Sequence, residues 1–235
     1  MPKKKAKLKI TRRDMKKDPL VTFSLKAADV ARRNARIIAI VSAVVAVAVV
    51  VVALMVRDRG RAEAEAEVLL ADANKELWRG NANQAVGRYG DLLDRYAGTK
   101  SGLKALLFNG DALLEAGRYD DAIKSYERFM QREKRDEMLR NSARRGIATA
   151  LEDKGEFARA ADVRETLCKY IEGDEAAQEL MGAARCYRAA AMYGRAIELY
   201  EKVISQHPQF WGIEEAKVYL AEMRANLRLS SQGAH

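Results

Sequence analysis

"GRYDDAIKSYERF", residues 117–129, returns three more times in altered form along the 235-residue chain. The related windows are "GNANQAVGRYGDL" from Gly80, "GEFARAADVRETL" from Gly155 and "AMYGRAIELYEKV" from Ala191, so the starts lie 37, 38 and 36 residues apart. The sixth place is alanine every time: Ala85, Ala122, Ala160 and Ala196. The third is aromatic in three windows (Tyr119, Phe157, Tyr193), and the tenth is tyrosine in three (Tyr89, Tyr126, Tyr200). Ahead of each window stands another helical stretch: "EVLLADANKELW", "LKALLFNGDALLEA", "SARRGIATALEDK" and "AQELMGAARCYRAA". A fixed period of this size marks stacked supersecondary units.

Each unit reads as a helix hairpin. The small sixth residue lets two antiparallel helices approach closely, and the aromatics fill the space above and below it. Gly117 and Gly155 suit the left-handed conformation that ends a first helix. One hairpin cannot bury its apolar face alone, so it needs neighbours stacked on both sides. Prolines occur only at positions 2, 19 and 208, so nothing between 20 and 207 carries that helix-breaking signal. Alternating strand-type runs are absent. The fold class is therefore all-α, with about four hairpins over residues 66–212. The last stretch, "GIEEAKVYLAEMRANLRL", spaces Ile213, Leu220, Met223 and Leu227 on one face and polar residues on the other. That pattern suits a terminal capping helix within 213–235.

These units resemble the tetratricopeptide repeat family. Gly110, Gly117, Tyr119, Ala122, Tyr126 and Phe129 of the second unit fall where that family's small and aromatic signature residues fall. Ala184, Tyr187, Tyr193, Ala196, Tyr200 and Pro208 do the same in the fourth. The first and third units depart from the pattern, with Ala82 in place of the turn aromatic and Arg164 in place of the second one. The resemblance covers about residues 66–208 and implies an α-solenoid.

Before the repeats comes "RIIAIVSAVVAVAVVVVALMVRDR", residues 36–59, whose middle, Ile37 to Val56, is twenty residues without a charge. Twenty helical residues span roughly 30 Å, the thickness of a bilayer's hydrocarbon core. Nine of the twenty are valines. At roughly −0.3 to −0.6 kcal/mol each they favour insertion by about 3–5 kcal/mol. A signal peptide's apolar region is shorter, at about 7–15 residues, and follows a short basic start. A soluble core helix would show a polar face. Residues 37–56 are therefore expected to be a transmembrane helix, followed by a juxtamembrane linker at 57–65.

Residues 1–36 hold thirteen Lys/Arg against three Asp, whereas 57–76 hold four Lys/Arg beside six acids. Positive charge stays on the cytoplasmic side. This places the N-terminus in the cytoplasm and the repeats outside it, in a single-pass arrangement. The tail contributes +10 to the net charge of +9, and the remaining residues carry 29 basic against 30 acidic side chains. A basic chain is thus a neutral one with a basic tail. The tail reads as an orientation signal that touches anionic lipid headgroups rather than as a specific nucleic-acid arm. Pro19 with Leu20, Phe23, Val30 and Ala31 suggests a short interfacial helix leading into the span.

Reactive constellations are not found. The two histidines, His207 and His235, sit before Pro208 and at the chain end, and no His/Cys cluster has metal-ligand spacing. No glycine-rich phosphate loop follows a strand, and no Ser/His/Asp set presents itself. Asp120–Asp121 and Glu152–Asp153 read as solvated helix ends. Cys168 and Cys186 would be offset by roughly 12 Å along antiparallel helices, too far for a disulfide, which leaves two buried free thiols. The expectation is a non-enzymatic chain with no cofactor and no metal.

The resemblance then supplies a binding face, because tetratricopeptide arrays hold peptides or helices against the first helix of each hairpin. Carried over, those positions are Asn74, Leu77 and Trp78, then Lys104, Leu107 and Asp111. The third unit supplies Arg145 and Thr149, and the fourth Met181, Arg185 and Arg188. Such a face would grade from apolar to cationic and suit an extended chain with an acidic end. For Trp78 and Met181 a core role is the competing reading. Leu70 stands where the lysine of a carboxylate-clamping member would be. Anchor and repeats together resemble the YfgM-type family of ancillary subunits of the bacterial Sec translocon. This implies an inner-membrane adaptor whose periplasmic repeats receive exported proteins or recruit a chaperone. Two other readings stand beside it: a structural subunit of a secretion, division or outer-membrane-biogenesis assembly, and an organelle receptor with cytosolic repeats.

Overall fold

The structure, a computed structural model, describes Phe23 and residues 32–232. The basic tail and the expected interfacial helix lie almost wholly outside the described residues. Helix α1 (Ala35–Trp78) is followed by α2 (Ala82–Tyr96), α3 (Lys100–Glu115), α4 (Tyr119–Arg132) and α5 (Glu137–Asp153). Then come α6 (Phe157–Leu167), α7 (Gly173–Ala189), α8 (Tyr193–Gln206) and α9 (Ile213–Gln232), with no strand among the described residues. Two compact units divide the chain, one ending at Arg59 and the other beginning at Gly60.

In the first unit every residue from Ile37 to Val56 is exposed. The most apolar eighteen-residue window of α1 has a mean hydropathy of 3.3, with none of it buried. It is the one helix among the described residues long and apolar enough to cross a membrane. Residues 57–65, expected as a linker, are helical and continue α1.

In the second unit the later part of α1 pairs with α2, α3 with α4, α5 with α6 and α7 with α8. The four turns inside these hairpins are one structure repeated. Gly80, Gly117, Gly155 and Ala191 all take positive φ, at 78°, 71°, 84° and 57°. Gly117 N donates to Leu114 O at 2.9 Å and Arg118 N to Leu113 O at 2.8 Å. This is the paired bonding that satisfies a helix's last carbonyls. The same two bonds recur at Gly80, Gly155 and Ala191. The start of the repeating window is therefore a backbone position before it is a side-chain one.

Packing follows the sixth and tenth places. Ala85, Ala122, Ala160 and Ala196 are wholly buried, as are Tyr89, Tyr126 and Tyr200. A Cβ on Gly110 would stand 2.4 Å from the Tyr126 ring, and one on Gly146 would stand 2.3 Å from it. The ring is thus clamped between its own hairpin and the next. Helix α3 starts with two caps. Thr99 Oγ1 accepts from Gly102 N at 2.9 Å, while the Glu63 carboxylate, reaching from α1, accepts from Lys100 N at 2.7 Å and Ser101 N at 3.0 Å. At the far end Phe210, Ala216 and Met223 join the fourth hairpin's core, so α9 covers it. Leu227, expected on that apolar face, is exposed.

Candidate polypeptide-binding face

Asn74, Asp111, Thr149 and Arg185 occupy one step of the repeat, and the tenth-place side chains below them decide what each can do. Tyr89 Oη donates to Asn74 Oδ1 at 2.6 Å, and Tyr126 Oη to Asp111 Oδ1 at 2.7 Å. Each hydroxyl holds an acceptor of its own hairpin in place. Burial pushes the Asp111 carboxyl up while the Tyr126 hydrogen bond pulls it down; burial prevails. Both phenols are raised, by burial first and by the Asp111 charge next.

The third and fourth units break this arrangement. Arg164 stands in the tyrosine's place and donates to Glu152 at 2.5 Å and to Glu179, in the following hairpin, at 2.6 Å. Thr149 is left half-buried with no such partner. In the fourth unit the acceptor is replaced by Arg185, which can only donate. The buried Tyr200 hydroxyl has no hydrogen-bond partner among the described residues, and burial pushes it up to about 12.

The arginines expected to make the face cationic all lie against carboxylates of the next helix in the row, α7 for Arg145 and the capping α9 for Arg185 and Arg188. Arg145 Nε bonds Glu179 at 2.7 Å, and its guanidinium also bonds Glu175. Arg185 lies 3.7 Å from Glu215. Arg188 lies 3.3 Å from Glu222, with its guanidinium carbon 4.3 Å from the centre of the Tyr219 ring. The far end of the face is therefore charge-paired rather than simply cationic. Glu175, Glu179, Glu215 and Glu222 are the residues that sequence reasoning missed. The signal was present, since Glu179 and Glu222 each follow their arginine by 34 residues, close to one repeat.

Two expected face residues belong to the core instead. Leu107 is 6 % exposed and Met181 is 2 % exposed, because α3 and α7 turn those positions toward neighbouring helices. Trp78 goes the other way: it ends α1 with 86 % of its surface exposed. Lys104 is exposed, and Asn74 and Leu77 are half-buried. Of the expected positions Trp78, Lys104 and Arg185 are exposed, and Arg185 lies against Glu215.

Among the described residues no group of three His, Cys, Asp or Glu side chains is placed to hold a metal ion. Cys168 and Cys186 are not bridged. Burial pushes their thiols up to about 11 and about 12, which keeps them protonated near neutral pH.

Family models of the tetratricopeptide repeat match residues 70–137, 109–169 and 180–209. The chain belongs to the tetratricopeptide repeat family. Two solved structures have the same fold at low identity. MamA from Desulfovibrio magneticus RS-1 (residue 41 to its end) is 17 % identical, with a TM-score of 0.53, over 72 % of this chain and 89 % of that one. A putative kinesin light chain from Podosopora anserina, with nearly identical TPR-like repeats, is 19 % identical, with a TM-score of 0.55, over 73 % and 92 %. A comparison with curated proteins found no match. Tetratricopeptide units are protein-interaction scaffolds.

Proposed function

We infer that this chain is a single-pass membrane adaptor whose repeats hold polypeptides on the side opposite the basic tail, as an ancillary translocon subunit or envelope-chaperone adaptor does. One observation carries the reading: a wholly exposed, uncharged helical segment, Ile37 to Val56, precedes a tetratricopeptide array in the same chain. No water-soluble role calls for twenty exposed apolar residues in a row, and lipid is the solvent that favours them. The thirteen basic residues before the span support a cytoplasmic N-terminus, and with it an inner-membrane location with periplasmic repeats. The Asn74, Leu77 and Trp78 end, with Lys104, is the surface left open for a polypeptide. Trp78 is the anchor, because a rigid exposed aromatic gives large contact area at low entropic cost.

A structural subunit of another envelope assembly is the second reading. The paired arginines favour it, since a face closed by its own acids leaves less for a charged client tail. Photocrosslinking from position 78 in intact cells separates the two. Crosslinks to channel subunits, exported chains or chaperones support the adaptor, and crosslinks confined to another assembly replace it. Protease protection on spheroplasts tests the side: repeats digested only from the cytoplasmic face would reject both.

A further inference from the structure

Away from the face formed by the first helices, α4 and α6 flank a cleft of about 740 Å³ floored by α5. Three stripes line it at helix-face spacing: Ile123, Glu127 and Met130 on one wall, with Lys134 just past the end of α4; Arg140, Arg144, Ile147 and Leu151 on the floor; Arg159, Val163 and Thr166 on the other wall. Ile123 and Ile147 pack against the cores of both the second and the third hairpin, yet remain half-exposed toward the cleft. Two helices walling an apolar trough is the geometry that receives a third helix. The short α6 turns Arg164 inward to Glu152 and Glu179, leaving Val163 and Thr166 to face the cleft.

Charge selects the occupant. At one end of the cleft Arg140 and Arg144 share a single carboxylate, Glu137, at 3.1 and 2.6 Å. Among the described residues Lys134 Nζ meets only the Met130 carbonyl, at 3.1 Å. The nearby Glu133 carboxylate is taken up by the backbone N–H groups of Arg135 and Asp136. Arg144 is buried, bonded also to Asn141 and covered by the Tyr170 ring, so the cations this end offers are the exposed Lys134 and the half-buried Arg140. Counting all its lining, the cleft holds four basic side chains against Glu127 and Asp162, on a domain that is otherwise near neutral.

We propose that this cleft is a second docking site, and that it takes an amphipathic helix of a partner protein with carboxylates beside its apolar stripe. The apolar stripe lies over Ile123, Ile147 and Val163, and the carboxylates meet Lys134 and the half-buried Arg140 beside it. This site is independent of the first-helix face, so adaptor and assembly readings alike leave it standing.

The test uses the full chain in nanodiscs and two fluorescent stapled helical peptides. Both carry leucines at i, i+3, i+7 and i+10; one has glutamates flanking the stripe and the other has lysines. The glutamate peptide binds saturably, and added salt weakens it. The lysine peptide binds at least tenfold more weakly. Lys134→Glu lowers affinity for the glutamate peptide about fivefold, the scale of one partly exposed ion pair. Thr166→Arg, an exposed change that fills the trough, abolishes binding, while Trp78→Ala leaves it unchanged. Equal binding of both peptides, or indifference to Lys134→Glu and Thr166→Arg, overturns the proposal. So does a Thr166→Arg effect on self-association alone, which would make the cleft a contact between copies of this chain.

Discussion

Tyr126 is held on both flanks by glycines, so its surroundings have no room for one more carbon. Gly146→Ala would place a methyl 2.3 Å from a buried ring. The ring cannot swing away without losing its hydrogen bond to Asp111. Overpacking of this kind costs about 1–3 kcal/mol, against roughly 1 kcal/mol that alanine returns in helix propensity. The expected outcome is a melting temperature lower by a few degrees, restored when Tyr126→Leu is added; an unchanged melting temperature would show that the clamp is loose. Ala191 offers the opposite case. It alone among the four turn positions carries a Cβ at positive φ, a conformation that costs an L-residue about 1 kcal/mol. Ala191→Gly should raise the melting temperature by about 2–4 °C, measured by calorimetry on the same chain. Glu179 is more sensitive than either. It is 6 % exposed and answers both Arg145 and Arg164. Removing its charge leaves two guanidinium groups short of a partner, and Glu179→Gln should cost roughly 3 kcal/mol in denaturant unfolding.

At the scale of elements, the capping of α3 by Glu63 ties the first hairpin to the second. Partial burial raises this carboxyl, but hydrogen bonds from the Ser101 hydroxyl and from the backbone N–H groups of Lys100 and Ser101 outweigh it. With the Lys100 charge they hold it below its ordinary value of 4.5. As pH falls, the unfolded chain therefore takes up this proton first. The contribution is whole above about pH 4.5 and fades as pH drops through the folded value. Glu63→Gln should lower stability at pH 7 by about 1 kcal/mol, the worth of a helix cap. The deficit should shrink toward pH 3 in parallel urea titrations, and one that stays constant across that range would exclude the cap. The hairpins themselves were legible from the thirteen-residue windows, because the alanine and the turn position each have one job in every unit and a buried tyrosine returns in three. The surroundings of the candidate face were legible only in part. Reading one helix at a time places Arg145, Arg185 and Arg188 on a surface correctly. Their carboxylates, however, sit a whole unit later, where no local pattern points. Leu107 lies in the core and not on the face, and Met181 follows its competing core reading; an apolar side chain on a first helix serves core and groove with the same chemistry, and only the neighbouring helix decides between them.

Across the whole molecule the apolar run and the array account for different properties, and the predictions separate accordingly. Deleting residues 37–56 should move the chain from the carbonate-resistant membrane pellet to the soluble fraction, with far-ultraviolet circular dichroism still showing a folded helical domain. Loss of helical signal with the deletion would mean that the array depends on the run. Trp78→Ala should weaken polypeptide capture about tenfold with little change in melting temperature, since the indole is exposed. Arg185→Glu should act mainly on the junction with α9, by setting a carboxylate against Glu215.

The forward reach of Arg164 also makes the junctions of the array unlike one another. Where Tyr89 and Tyr126 bond within their own hairpins, Arg164 and Arg145 fasten the third unit to the fourth through buried charge. The third junction is thus the one closed by buried charge, whereas Glu63 caps the first and the Tyr126 ring bridges the second. Its hold on the array should therefore depend on ionisation in a way that the cap and the ring do not share at neutral pH.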